Sequence, residues 1–226
     1  MKRIKNVLIF FLAMVMLGAC RDKKSEKKEE GNIQQENTFV NPLKTEGAQC
    51  WANYYDGWYY YMQEAVDRLE LWRTRDITDL EHAEHKVIWI PKDPSNAHHL
   101  WGPEIHPIAG KWYVYYAASD DNMDNHQLFV LENSSADPFE GEFELKGRIS
   151  TDKNNNWAIH PNVFEHRGEW YMTWSGWQSR RVSTEHQCIY IAKMRNPTGF
   201  YFRSPSSNGN ANGSIRMEVK RHIRFM

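Results

Sequence analysis

Aromatic and apolar positions recur along the chain in three similar segments, at residues 51–61, 101–116 and 157–174. Each segment reads as a strand, a glycine turn and a second strand rich in Trp and Tyr, residues that favour β-structure. The turn glycines Gly57, Gly110 and Gly168 are separated by 53 and 58 residues. A spacing this regular indicates a repeat architecture.

The pattern predicts two further strands in most repeats. A third strand follows each hairpin, at 68–74, 127–132 and 188–194, and polar turns come after it. Outer strands are predicted around 87–90 and 143–146 in the first two repeats. Four strands in roughly 50 residues make up one blade of a β-propeller, so we predict an all-β fold with about three blades over residues 38–200.

A helix over residues 62–72 is the main alternative, because Ala65, Leu69 and Trp72 have helical spacing. We favour the strand interpretation because the aromatic run before this stretch is typical of β-structure. Residues 65–67 then form the turn between the second and third strands of the first blade.

Residues 201–226 contain a low-complexity run and a basic end but no glycine-turn hairpin, so we predict a tail outside the blades. Propellers usually close with about four to eight blades. An arc of three blades leaves apolar faces and strand edges uncovered, and we expect it to unfold or aggregate unless a partner covers them.

The N-terminus predicts export. A basic start and the apolar stretch 7–17 form a signal peptide over residues 1–19, too short for a spanning helix. The run Leu17-Gly18-Ala19-Cys20 resembles a bacterial lipobox, which makes Cys20 the lipidation site. The alternative is a secretory peptide with an incidental cysteine. Residues 20–37 are almost all polar or charged and predict a disordered tether to the membrane.

Composition narrows the function classes further. The chain has 226 residues with 10 Trp, 11 Tyr and 10 Phe, which suggests strands and surfaces on which sugar rings stack. Its net charge is −1 and it has no basic stripe, so no nucleic-acid partner is expected. Besides Cys20, the cysteines are Cys50 and Cys188, which form either a disulfide or two separate thiols.

Several motifs together resemble glycoside hydrolase family 43, within its α-L-arabinofuranosidase-like branch. They are Asn41-Pro42-Leu43, Asp56-Gly57-Trp58-Tyr59-Tyr60, Trp101-Gly-Pro-Glu-Ile-His106, Phe129-Val-Leu-Glu132, Trp157-Ala-Ile159 and Trp174-Ser-Gly-Trp177. The resemblance covers about residues 39–197 and implies a five-bladed propeller with a central funnel. It also implies hydrolysis with inversion by two carboxyl groups about 6.5–9.5 Å apart, with a third carboxylate that tunes the acid.

The residues at the catalytic positions depart from the pattern of the family. The base position of the Gly-Ala-Asp-Pro-Trp motif holds Gln49, and an amide cannot take a proton from water. The position of the tuning aspartate, after Trp157-Ala-Ile159, holds His160. The general acid would come from a glutamate of a fourth blade, and no residue of this sequence is assigned to it. We therefore expect a truncated or frame-shifted form of a longer protein.

The resemblance also suggests which residues contact substrate. Glu104 occupies the position of a funnel carboxylate and His106 follows it, although both have a purely structural alternative. The indoles of Trp51, Trp101 and Trp177 are predicted to stack on sugar rings.

Histidines invite a metal interpretation, which we reject for lack of a third ligand at convincing spacing. The two clusters concerned are His82 with Glu84 and His85, and His98 with His99. Calcium is allowed only by the family resemblance.

Two functions follow as hypotheses. The first is a glycoside hydrolase related to α-L-arabinofuranosidases and β-xylosidases, acting on arabinose- or xylose-containing side chains of plant polysaccharide, with impaired catalysis because its carboxylates are replaced or missing. The alternative is a non-catalytic glycan-binding lipoprotein at the cell surface, held by its lipid anchor. A fragment that does not fold stably is the third outcome.

Overall fold

The computed structural model describes residues 38–177 and 186–200. The predicted signal peptide 1–19, the tether 20–37 with Cys20, and the tail 201–226 lie outside the described residues. Within the described ranges, no helix is long and apolar enough to cross a membrane.

The described residues form three four-stranded antiparallel sheets in chain order, which confirms the predicted partial propeller. The first blade contains β1 (Trp51–Tyr55), β2 (Trp58–Met62), β3 (Leu69–Thr74) and β4 (Glu84–Trp89). The middle blade contains β5 (His98–Ile108), β6 (Lys111–Ser119), β7 (Gln127–Asn133) and β8 (Glu144–Ile149). The third blade contains β9 (Ala158–His166), β10 (Glu169–Gly176), β11 (Cys188–Asn196) and the two-residue β12 (Gly199–Phe200). Short 3-10 helices lie at Ile77–His82, Pro94–Asn96 and Met123–Asn125.

The three predicted glycine turns are tight two-residue turns in the structure. Both central residues of each turn have positive φ, with 48° and 80° at Asp56 and Gly57, and 51° and 78° at Ala109 and Gly110. Two consecutive positive φ angles give a tight two-residue turn whose twist matches that of the flanking strands. Glycine adopts this conformation without steric cost, which explains its recurrence at the second position.

The helical alternative over 62–72 is wrong. β2 ends at Met62 and β3 begins at Leu69, and residues 63–67 between them form a segment that we call the rim. The rim is held by backbone hydrogen bonds, from the Glu64 amide to the Ala48 carbonyl at 3.0 Å and from the Ala65 amide to the Leu100 carbonyl at 3.3 Å. These bonds to distant chain segments replace the local bonds that a helix would form.

The apolar core lies between the blades. One face of the middle blade packs on the first blade around Ile105 and Tyr116, and its other face packs on the third blade around Tyr115 and Met172. Tyr115 and Tyr116 are adjacent on β6, so their side chains point to opposite faces, and both are fully buried. The middle blade is therefore covered on both sides.

The outer faces of the first and third blades, unlike the faces of the middle blade, are not covered by another blade among the described residues. On the first blade, Tyr61, Trp72 and Leu80 form a small buried cluster under Leu43. On the third blade, Ile189 has 77% of its surface exposed. That the arc unfolds or aggregates without a partner stays a prediction.

Candidate functional site

The first strands of the three blades, β1, β5 and β9, lie side by side and bring most of the predicted site residues together. The Asn53 side chain on β1 donates a hydrogen bond to the Ile105 carbonyl on β5 at 3.1 Å. The Asn162 side chain on β9 donates to both carboxylate oxygens of Glu104 on β5, at 3.1 and 3.3 Å. We call this cluster the first-strand site, made of Gln49, Trp51, Gly102, Glu104, His106, His160 and Asn162.

Glu104 is a nearly buried carboxylate whose oxygens are engaged on several sides. Besides the bonds from Asn162, one oxygen accepts from the Val163 amide at 3.4 Å and lies 3.0 Å from Nε2 of His106. These contacts link the middle blade to the third blade. Glu104 therefore acts structurally at the blade junction, and its negative charge is also felt by His160.

His106 completes this arrangement from the side of the first blade. Its imidazole is buried and lies 5.2 Å from the indole of Trp51 and 5.8 Å from the ring of Tyr115, measured between ring centroids. The ring thus fills the space between β1 and β6 while its nitrogen faces Glu104. This packing gives His106 the structural role that the sequence left open beside ligand contact.

Gln49 and His160 approach each other across Gly102. Both have left-handed backbone, with φ of 47° and 53°, and Gly102 has φ of 53°. A Cβ atom at Gly102 would lie 2.8 Å from Nδ1 of His160 and 3.6 Å from Oε1 of Gln49. Only glycine fits there without displacing the imidazole, so the two substituted catalytic positions share one small space.

The proton chemistry of this space is unlike that of paired acids. Oε1 of Gln49 is buried and has no hydrogen-bond partner among the described residues, and an amide has no usable basicity. Burial lowers the pKa of His160, although the charges of Glu104 and Glu64 act in the opposite direction. His160 is itself exposed to solvent on β9, so this burial is partial. The imidazole is therefore mainly neutral near pH 7 and can accept a proton.

Sequence reasoning missed two residues of this region. Asn162 lies two positions after His160 on β9, and this alternate spacing could have pointed to it. Glu64 lies on the rim, and its charge raises the pKa of His160. No periodic pattern marks Glu64, because its position depends on backbone bonds to Ala48.

The three predicted sugar-stacking tryptophans have different surroundings. Trp51 and Trp101 are partly exposed, and the Trp101 ring stacks on the imidazole of His126 with centroids 4.0 Å apart. Trp177 is buried, with its ring centroid 3.8 Å from that of Trp157. Trp51 and Trp101 therefore have open surface for a ligand, and sugar stacking by all three stays a prediction.

Metal and disulfide chemistry find little support in the described ranges. Among these residues, no group of three or more His, Cys, Asp or Glu side chains is arranged to hold a metal ion. Cys50 and Cys188 are free thiols, which excludes a disulfide between them in this structure.

The chain is similar in sequence to one family of known proteins. The family model described as "Glycosyl hydrolases family 43" matches residues 39–213. An extracellular exo-α-(1→5)-L-arabinofuranosidase of Streptomyces chartreusis is 35% identical over 164 residues, covering 70% of this chain and 49% of that protein. The α-L-arabinofuranosidase 43 of Humicola insolens is 32% identical, covering 63% of this chain and 30% of that protein.

A solved structure of an arabinofuranosidase is similar to this chain as well. The crystal structure of an α-L-arabinofuranosidase from Lactobacillus brevis is 28% identical, with a TM-score of 0.64, covering 72% of this chain and 54% of that one. The chain thus spans about half the length, or less, of the relatives that it matches.

Proposed function

Because the chain belongs to glycosyl hydrolase family 43, we propose that its first-strand site binds arabinose- or xylose-containing glycans and that hydrolysis by the described residues is impaired. The relatives named as arabinofuranosidases support arabinose as the sugar. The observation that carries the proposal is the meeting of Gln49 and His160 over Gly102, where the family resemblance places acids.

The impairment follows from the chemistry of inversion. That reaction needs one carboxylate free to activate water and one carboxylic acid about 6.5–9.5 Å away. In the described site, Gln49 cannot activate water, and Glu104 is engaged by Asn162, Val163 and His106. Amides, imidazoles and exposed indole surface remain suited to hydrogen bonds with sugar hydroxyls and to stacking on sugar rings.

Hydrolysis with an unusual base is a second candidate, and one observation favours it. The lowered pKa of His160 keeps its imidazole unprotonated near pH 7, where it can take a proton from water. In this case His160 would replace the missing carboxylate base.

Calorimetry and turnover assays on one set of variants separate these functions. We expect the chain to bind arabino-oligosaccharides by isothermal titration calorimetry, to release no aryl group from aryl arabinofuranosides or xylosides, and to bind more weakly as His160→Ala. His166→Ala, at the far end of the same strand, is the matched control. Turnover that is lost in His160→Ala and kept in His166→Ala would establish the second candidate, and the absence of any binding would contradict the proposal.

The proposal also includes attachment of the chain to the bacterial membrane through a lipid on Cys20, at the cell envelope. The lipobox-like run 17–20 and the polar stretch after it support this placement. In cells fed labelled palmitate, the wild type should become labelled and sediment with membranes. Cys20→Ser should do neither, whereas equal labelling of both would contradict the anchor.

A further inference from the structure

His126 is a fully buried residue whose imidazole stacks on the partly exposed indole of Trp101. The centroids of the two rings are 4.0 Å apart and their planes are 19° from parallel. Trp101 directly precedes Gly102, the glycine over which Gln49 and His160 meet. His126 therefore covers one face of an indole that lies beside the first-strand site.

Backbone carbonyls hold the imidazole of His126 in place. Its Nδ1 lies 2.8 Å from the carbonyl oxygen of Met123, and its Nε2 lies 3.1 Å from that of His99. A neutral imidazole has one N–H, which donates to one of these two oxygens. Turning the ring out of its present plane would break this hydrogen bond in a buried place, where an unpaired group is costly. The imidazole is therefore a fixed support for the indole of Trp101.

The third blade is bonded to the same support. The indole Nε1 of Trp157 donates to the Met123 carbonyl at 2.8 Å, and the Trp157 ring meets the His126 imidazole edge-on at 6.2 Å. The Ala158 amide donates to the His126 carbonyl at 3.2 Å. Ala158 begins β9, the strand that carries His160. His126 thus lies between the beginnings of β5 and β9, the strands that supply most of the first-strand site.

A second stacked pair in the first blade has the opposite exposure. Trp72 and His85 stack with centroids 4.5 Å apart and planes 20° from parallel. There the indole is 7% exposed and the imidazole side chain is 40% exposed. In the pair of Trp101 and His126, the imidazole is buried and the indole reaches solvent. A buried ring under an exposed indole is the arrangement that presents the indole to an external ligand.

We propose that His126 is a positioning residue for glycan binding, which holds the Trp101 indole in one orientation so that its open face can stack on a sugar ring. This inference rests on the proposed function and adds a residue that sets the affinity without touching the ligand. An indole without this support would have to be ordered when the ligand binds, and ordering a side chain lowers affinity.

Calorimetric titration of the full chain with α-1,5-linked arabinotriose tests the role of the ring. His126→Asn and His126→Gln each keep an amide donor for one carbonyl but lack the ring, and should weaken binding about 2- to 12-fold. His126→Phe keeps a flat ring without the hydrogen bonds, so it should retain most of the affinity although it lowers stability. His85→Asn, the matched change in the other stacked pair, should leave the affinity unchanged.

A double-mutant cycle tests whether His126 acts through Trp101. In the Trp101→Ala background, His126→Asn should change the affinity for arabinotriose by less than about twofold, because the indole that it positions is gone. A residue that only stabilises the fold would give the same loss of affinity in both backgrounds.

Three results would overturn the inference while leaving the proposed function standing. These are equal losses in the two backgrounds, a folded His126→Phe variant that binds as weakly as His126→Asn, and a loss in His85→Asn as large as in His126→Asn. Circular dichroism melts check the folding of each variant. The cycle carries the test if His126→Phe does not fold, and His126→Phe carries it if Trp101→Ala leaves no measurable binding. Failure of the wild type to bind arabinotriose would instead contradict the proposed function.

Discussion

The middle blade and the third blade have the same four-strand order but differ in what covers them. In β7, the third strand of the middle blade, every residue except Glu132 is buried. In β11 of the third blade, only Ala192 and Met194 are buried. The middle blade has a neighbour on each face, whereas within the described residues the third blade packs on one neighbour.

This difference shows that the blade sequence alone does not determine how much each strand stabilises the fold. Both β7 and β11 carry apolar residues on both faces, as a strand between two neighbours requires. The residues of β11 that point away from the middle blade, Ile189 among them, contribute little because they remain in water. Stability should therefore concentrate at the two blade junctions.

The largest expected effect on stability comes from comparing an Ile→Ala substitution in the middle blade with one in the third blade. Ile105→Ala, at a fully buried position of β5, should lower the free energy of unfolding by about 2–5 kcal/mol. Ile189→Ala, on the exposed face of β11, should change it by less than about 0.5 kcal/mol. Urea unfolding followed by tryptophan fluorescence measures both, and similar losses would break the comparison.

A second test removes the carboxylate at the junction of the middle and third blades. Glu104→Ala leaves the Asn162 side chain and the Val163 amide without their acceptor and should cost about 1–3 kcal/mol of unfolding free energy. Glu169→Ala is the control, because its partner Lys193 lies at the surface of the third blade and such pairs contribute about 0–1 kcal/mol. A control as damaging as the test would show that the junction has no special role.

A third and smaller test concerns one hydroxyl. The buried Tyr115 hydroxyl donates to the Pro197 carbonyl at 2.8 Å, from the middle blade to the chain just before β12. Tyr115→Phe should lower the unfolding free energy by about 1 kcal/mol. Tyr171→Phe on the third blade should be neutral within about 0.5 kcal/mol. Thermal melts of the two variants would refute the assignment if their order were reversed.

The smallest expected effect is a change of the unfolding free energy with pH that is caused by His126. This residue is fully buried, and its backbone carbonyl accepts a hydrogen bond from the Ala158 amide of the third blade. Burial lowers the pKa of His126 in the folded chain below the ordinary 6.5, although the carbonyls of Met123 and His99 oppose this. The unfolded chain then binds the proton more readily, so stability should decrease as the pH falls through and below 6.5.

His126→Asn should flatten this dependence between about pH 8 and 5, measured as the urea midpoint at each pH. His82→Asn is an informative control, because Asp79 raises the pKa of His82 and its contribution has the opposite sign. A midpoint that falls equally steeply in the wild type and in His126→Asn would contradict the prediction.

Much of the fold could be predicted from the sequence, because it depends on local signals. The glycines at 57, 110 and 168 fix the hairpin turns, and the aromatic runs around them form the strands. The very short β12 was not predicted, since two residues carry no periodic pattern. The helical spacing of Ala65, Leu69 and Trp72 was misleading, because backbone bonds to distant segments determine the rim.

The candidate site was predictable only in part. The family resemblance placed Glu104, His106 and His160 at the central funnel, and the structure has all three on the first strands of their blades. Their partners did not follow, because the contact of Asn162 with Glu104 spans 58 residues of sequence.

The tight fit at Gly102 has a consequence for how this chain can change by mutation. A methyl group at 102 and the imidazole at 160 compete for the same volume, so each position restricts the residues accepted at the other. In a library randomised at both positions, folded clones should keep glycine at 102 whenever 160 is large. His160→Asp would relieve the contact with Nδ1, but the left-handed φ of 53° at 102 would still favour glycine there, so position 102 should stay restricted even after that substitution.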